Sequence, residues 1–166
     1  MIKNNIRSLL IHVMINILAL ITYIPFHISV VKWASEEAAK NHHIVMISVA
    51  ITIIAVALFL YYYFSGVFLK EQGSNFKNIM SISLTGFIGI FIWFIAFNMN
   101  LAERTNALLN SEVWQLYSLY YSYSLFLVDE AAISIPNIML VFCIMPTLAM
   151  WVGIKYPINS SNIKVN

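Results

Sequence analysis

Charge is what this sequence has least of. Only 10% of its 166 residues are Asp, Glu, Lys or Arg, against 61% hydrophobic residues and a mean hydropathy of +0.81. A compact domain in water needs far more polar surface, so lipid must solvate most of the chain. The formal net charge of +2 is too small to imply a nucleic-acid partner, whose phosphates call for basic residues concentrated on one face, and none is expected. One cysteine, Cys143, permits neither an intrachain disulfide nor a multi-thiolate metal site. GxxxxGK[ST], HExxH, GxSxG and CxxC motifs are all missing, so no catalytic residues, metal or cofactor are expected. An intramembrane enzyme therefore ranks last among the functional readings.

What is present is four long uncharged runs. Crossing about 30 Å of hydrocarbon at 1.5 Å per residue takes about 20 apolar residues. Residues 8–31, 44–69, 79–97 and 135–154 reach that length without one Asp, Glu, Lys or Arg. Each such charge near the bilayer centre would cost at least ~2.5–3.5 kcal/mol. The runs are continuous rather than alternating, and helices satisfy their own backbone in lipid. The first follows Lys3 and Arg7 like a signal peptide, but it is too long and lacks a small-x-small cleavage site. It reads as a retained span.

The links supply the topology. Lys3, Arg7, Lys70, Lys77, Lys155 and Lys164 fall on one side and Lys32, Lys40 and Arg104 on the other, six basic residues against three. The richer side is cytoplasmic by the positive-inside rule. Trp33, Trp93 and Trp114 mark the outer boundary, and Tyr61, Tyr62, Tyr63, Trp151 and Tyr156 the inner one. The expected fold is an all-α integral membrane protein. It is one membrane domain over 1–166, a four-transmembrane-helix bundle with an amphipathic outer segment at 113–128. It is expected to be multi-pass in a bacterial-type cytoplasmic cell membrane, with N- and C-termini cytoplasmic.

The segment at 113–128, VWQLYSLYYSYSLFLV, is apolar and aromatic but short for a span. Gln115, Ser118, Ser122 and Asp129 share a narrow arc of about 60°. The pattern predicts an interfacial helix, lying flat or dipping into the outer leaflet, and makes Trp114, Tyr120, Tyr121 and Tyr123 the candidate partner surface. A fifth span is the alternative, and it would carry Lys155 and Lys164 outside.

Inside the spans, Ser8, His12, Asn16, Tyr23 and His27 form one polar stripe on the first helix. It reads either as a polar pathway with histidine proton acceptors or as interhelical hydrogen-bonding groups. His12 and His27 lie about 22 Å apart along the axis and cannot share a metal. Ser81, Thr85 and Gly89 form a small-xxx-small ladder for helix packing, and Ser48, Thr52 and Ala55 offer a comparable surface. Pro25 removes the backbone bond to Ile21. Pro146 frees the carbonyl of Phe142, which Thr147 is placed to reach. Glu36, Glu37, His42 and His43 carry cation-binding chemistry, but a solvated loop explains them as well.

Three functional readings follow. The first is a non-enzymatic accessory or binding protein, either a transporter subunit or an immunity-type protein. Four spans, cytoplasmic ends and a Tyr-rich outer segment resemble in layout the immunity proteins of pore-forming bacteriocins, which implies interception of a membrane-active toxin. The second is a small transporter or channel using the first helix's stripe, and the third is the enzyme. Beyond the lipid bilayer, the expected partner is another membrane protein or a second copy in a homo-oligomer.

The topology predicts a labelling pattern for single cysteines placed in a Cys143→Ser background in intact cells. Positions Ser35 and Ser111 should react with an impermeant reagent and Ser74 and Ser160 should not. Labelling at Ser160 would make 113–128 a fifth span.

Overall fold

Seven helices make up the described residues: α1 (Ile2–Val30), α2 (Glu36–Phe68), α3 (Asn75–Met80), α4 (Ser83–Met99), α5 (Glu112–Tyr120), α6 (Ser122–Glu130) and α7 (Pro136–Lys155). The computed structural model describes residues 1–30, 36–99, 112–130 and 136–158, with side-chain surroundings over 1–25, 44–98, 114–128 and 138–158. Among the described residues, three stretches are long and apolar enough to cross a membrane: Ile2–Pro25, Ile44–Phe68 and Ile138–Lys155. The chain is a membrane-embedded helical protein.

Two boundaries differ from expectation. α2 begins at Glu36, so the charged stretch before residue 44 continues the helix instead of forming a loop. The expected third span breaks at Ser81–Ile82, leaving α4 at 17 residues, about 25 Å long. α3 has its own start signal, since Ser74 in extended geometry accepts the Lys77 amide on its side chain. Gly73 just before it adopts φ 81, a left-handed turn that glycine makes without strain.

α1 buries one face and exposes the other. Asn4, Ser8, Ile11, His12, Ile15, Asn16 and Ala19 are buried, while Leu10, Val13, Met14, Ile17 and Leu18 are exposed. This spacing of three and four residues is one helical face. The exposed apolar face of α1, like those of α2 and α4, suits hydrocarbon rather than water.

α2 and α7 run parallel at close range. A Cβ on Gly153 would strike the Ser65 hydroxyl and the Tyr62 carbonyl, and one on Gly66 would crowd Gly153 and Pro157. Tyr62 donates to the Tyr156 carbonyl at 2.9 Å, and Lys155 lies over the Trp151 and Tyr156 rings. This contact was not apparent from the sequence, where Gly66 and Gly153 stand alone. The Ser48–Thr52–Ala55 face packs on no other helix of the bundle among the described residues. All three are exposed, and the two hydroxyls return to their own helix at Ile44 and Ser48.

The segment at 112–130 is neither a fifth span nor a surface helix, because it enters the bundle and turns back. Tyr117 donates to Met139 and Tyr121 to Cys143, so α5 runs parallel to α7. Beyond the turn, Tyr123 lies beside Asn16 and Tyr61, while Phe126 packs on Tyr23, Met46 and Ala50. α6 therefore runs parallel to α1 and opposite to α5. The two half-helices form a hairpin with its apex at Tyr121.

Gly153→Ala places a methyl group against the α2 backbone, which cannot swing aside. It should lower stability by about 1–3 kcal/mol, read as a lower thermal unfolding temperature in detergent micelles. An unchanged temperature would mean that α2 and α7 are not in contact.

Candidate functional site

The hairpin's apex creates a problem that α1 solves. In a continuous helix the Tyr120 carbonyl would accept the Ser124 amide, but that amide bonds to Tyr121 instead, at 2.9 Å. The Tyr123 amide likewise loses Leu119, whose carbonyl takes the Ser122 hydroxyl at 2.7 Å. Two released backbone groups lie in the protein interior, where an unpaired one is costly. His12 and Asn16, one helical turn apart on α1, meet them both.

The hydrogen bonds have one consistent direction. His12 Nε2 lies 2.9 Å from the Tyr120 carbonyl, which only accepts, so this nitrogen carries the proton. Nδ1 of the neutral ring is then an acceptor, and the Tyr61 hydroxyl donates to it at 2.8 Å. Tyr61 in turn accepts from Asn16 Nδ2 at 3.0 Å, which also reaches the His12 carbonyl at 2.9 Å. Asn16 Oδ1 receives the Tyr123 amide at 3.3 Å. The chain thus runs from Tyr123 through Asn16, Tyr61 and His12 to Tyr120, starting and ending on the two released groups. The Tyr120 ring covers His12 at 4.3 Å between centroids, with Tyr121 edge-on at 5.3 Å.

The expected polar stripe is thus partly assembled. Ser8, His12 and Asn16 face inward, and Ser8 donates to the Asn5 carbonyl and lies 3.4 Å from the Thr85 hydroxyl. Tyr23 is half-buried against Phe126. The side chains of His27, Glu36, Glu37, His42 and His43 lie outside the described residues. Among those described, no three His, Cys, Asp or Glu come together to hold a metal ion.

The Ser81–Thr85–Gly89 ladder, which spans the α3–α4 break, does more than pack helices. Ser81 accepts from Asn4 at 3.2 Å and the Thr85 carbonyl accepts the Tyr120 hydroxyl at 3.0 Å. Gly89 leaves room for the Tyr121 ring, which a Cβ there would overlap.

The candidate partner surface is corrected. Trp114, Tyr121 and Tyr123 are buried and Tyr120 is half-buried, and the three tyrosine hydroxyls donate to backbone carbonyls of α4 and α7. Tyr123 shows this best. Pro146 has no amide for the Phe142 carbonyl, and the Tyr123 hydroxyl takes that carbonyl at 2.7 Å. Thr147, expected there, instead has no partner for its buried hydroxyl among the described residues. Tyr117 and Tyr121, one turn apart, match Met139 and Cys143, one turn apart on α7.

A notch of about 210 Å³ lies beside this centre, lined by His12, Asn16, Leu119, Tyr120 and Ser122 among others. Comparison of the chain with protein-family models, curated proteins and solved structures gives no match.

Tyr123→Phe leaves the Phe142 carbonyl unpaired and should cost about 1–3 kcal/mol. In a Pro146→Ala background the new amide can take that carbonyl, so the cost should fall, giving a coupling of about 0.5–3 kcal/mol. Unfolding of the four proteins in mixed micelles measures the cycle, and additive costs would rule out the pairing.

Proposed function

We propose that the chain is a non-enzymatic accessory or binding protein of a bacterial-type cytoplasmic membrane, acting as a transporter subunit or an immunity-type protein. In this reading α4 is the fourth span and both termini are cytoplasmic, as the distribution of Lys and Arg favours. The observation that carries it is the closed hydrogen-bond chain at His12. A proton or solute pathway needs polar groups free to exchange partners, and here both ring nitrogens of His12 are committed.

The partner surface moves from the tyrosines to the α1–α2 face. A groove of about 550 Å³ lies there, lined by Ala19, Thr22, Ser48, Thr52, Val56 and Ala57 among others. Its walls are mostly Ile, Leu and Val, with Ala19, Thr22, Ser48, Thr52 and Ala57 as the small positions at which another helix can approach. The α2 wall, from Ile44 to Leu60, is about 24 Å long, so a partner's transmembrane helix is the proposed occupant.

A small transporter or channel is the second reading. The notch touching His12, Asn16 and Ser122 favours it, since one displaced hydrogen bond would open the ring to a solute.

A photo-cross-linking residue in place of Thr52 should give a discrete protein adduct in native membranes, whereas one in place of the exposed Phe87 should give none. The purified protein in vesicles should carry no proton or ion flux above protein-free vesicles. Lipid adducts alone at position 52 would overturn the binding reading. Flux lost with His12→Ala would establish the transport reading.

A further inference from the structure

Two cavities at the α1 N-terminal end share a boundary and differ in chemistry. One, of about 670 Å³, is lined by Lys3, Arg7, Lys70 and Gln72 among others. The next, of about 400 Å³, runs between α1 and α2 along Leu10, Met14, Val67 and Phe68. Arg7 and Lys70 line both, and no acidic residue lines either.

The two cations are held where the cavities meet. Arg7 gives one guanidinium N–H to the Phe68 carbonyl at 2.9 Å, which ties its head across the α1–α2 seam, and a guanidinium has five such donors. The backbone of Lys70 is held at both ends by one side chain, with Asn4 donating to its carbonyl at 2.7 Å and accepting its amide at 3.3 Å. From Arg7 to Met14 the apolar groove runs about 10 Å along α1, roughly a third of the hydrocarbon thickness. Leu10, Met14, Val67 and Phe68 are all exposed along it.

We propose that this paired site binds an anionic phospholipid, its phosphate between Arg7 and Lys70 and the start of an acyl chain in the α1–α2 groove. Arg binds phosphate through paired N–H groups and Lys as a point charge. The excess of basic residues at this end matches the anionic cytoplasmic leaflet. A free phosphate would use only the basic cavity, and a neutral lipid only the groove. The site asks for one molecule with both parts. It does not depend on which partner, if any, the opposite half of the α1–α2 face engages.

The test is native mass spectrometry of the full chain in a zwitterionic detergent, supplied with phosphatidylglycerol or with phosphatidylcholine of the same acyl chains. Phosphatidylglycerol should be retained preferentially, and each of Arg7→Gln and Lys70→Gln should reduce that preference about five-fold. Lys77→Gln with Lys155→Gln removes twice as much charge elsewhere and should leave it unchanged. Met14→Trp fills the groove and should release the lipid with every cation in place. It decides the matter alone if the charge variants fail to fold, as circular dichroism would show. Equal retention of the two lipids, an equal loss in the Lys77/Lys155 control, or full retention by Met14→Trp would each overturn the proposal. Displacement of the lipid by glycerol phosphate at equal concentration would overturn it too, reducing the site to an anion pocket.

Discussion

Hydrocarbon offers no hydrogen bonds, so every backbone group released by a break in a membrane helix must find a partner inside the protein. This chain breaks its helices repeatedly, and α1 repairs most of the breaks. Asn4 holds Lys70 just beyond the end of α2, and Arg7 takes the Phe68 carbonyl in its last turn. Asn5 bridges the α3–α4 break, donating to Met80 at 3.0 Å and accepting the Leu84 amide at 3.1 Å. His12 and Asn16 do the same for the α5–α6 apex. A side-chain amide offers a donor and an acceptor together, which suits it to both sides of one broken backbone bond.

That arrangement changes what the intramembrane polar residues mean. Polar side chains in a span ordinarily raise the question of a pathway. Here the neutral tautomer of His12 is set by a carbonyl on one side and a phenol on the other, and Tyr61 passes the chain on to Asn16. The hairpin is locked at its apex by α1, at its flanks by tyrosine hydroxyls on α7, and at its tip by Gly89 of α4. The joint ties the hairpin to α1, α2, α4 and α7. It also leaves the outward apolar faces of α1 and α2 exposed, and these are the faces on which the proposed partner helix and lipid are placed.

The α7 proline belongs to the same economy. Pro146 withdraws one amide and Tyr123 supplies a hydroxyl, so the missing donor becomes a tie between α6 and α7. The buried hydroxyl of Thr147, close to Gly86, and the buried Nδ2 of Asn78 have no partner among the described residues. We have no physical account of either.

The sequence by itself determined the class of solvent and the long spans. Uncharged runs of span length admit only helices in lipid, and the inward face of α1 follows from its polar residues recurring every three or four positions. It could not determine where Tyr117, Tyr121 and Tyr123 point. An amphipathic aromatic segment has the same periodicity whether its hydroxyls meet headgroups or the carbonyls of another helix. Nor could it place the break at Ser81, because the apolar run continues through it and the amide that makes the break tolerable, Asn5, lies about 75 residues earlier. The Gly66–Gly153 approach and the use of Tyr123 at Pro146 were likewise settled only by tertiary structure. Local pattern reports which groups dislike lipid, and only the packed bundle decides which partner satisfies each one.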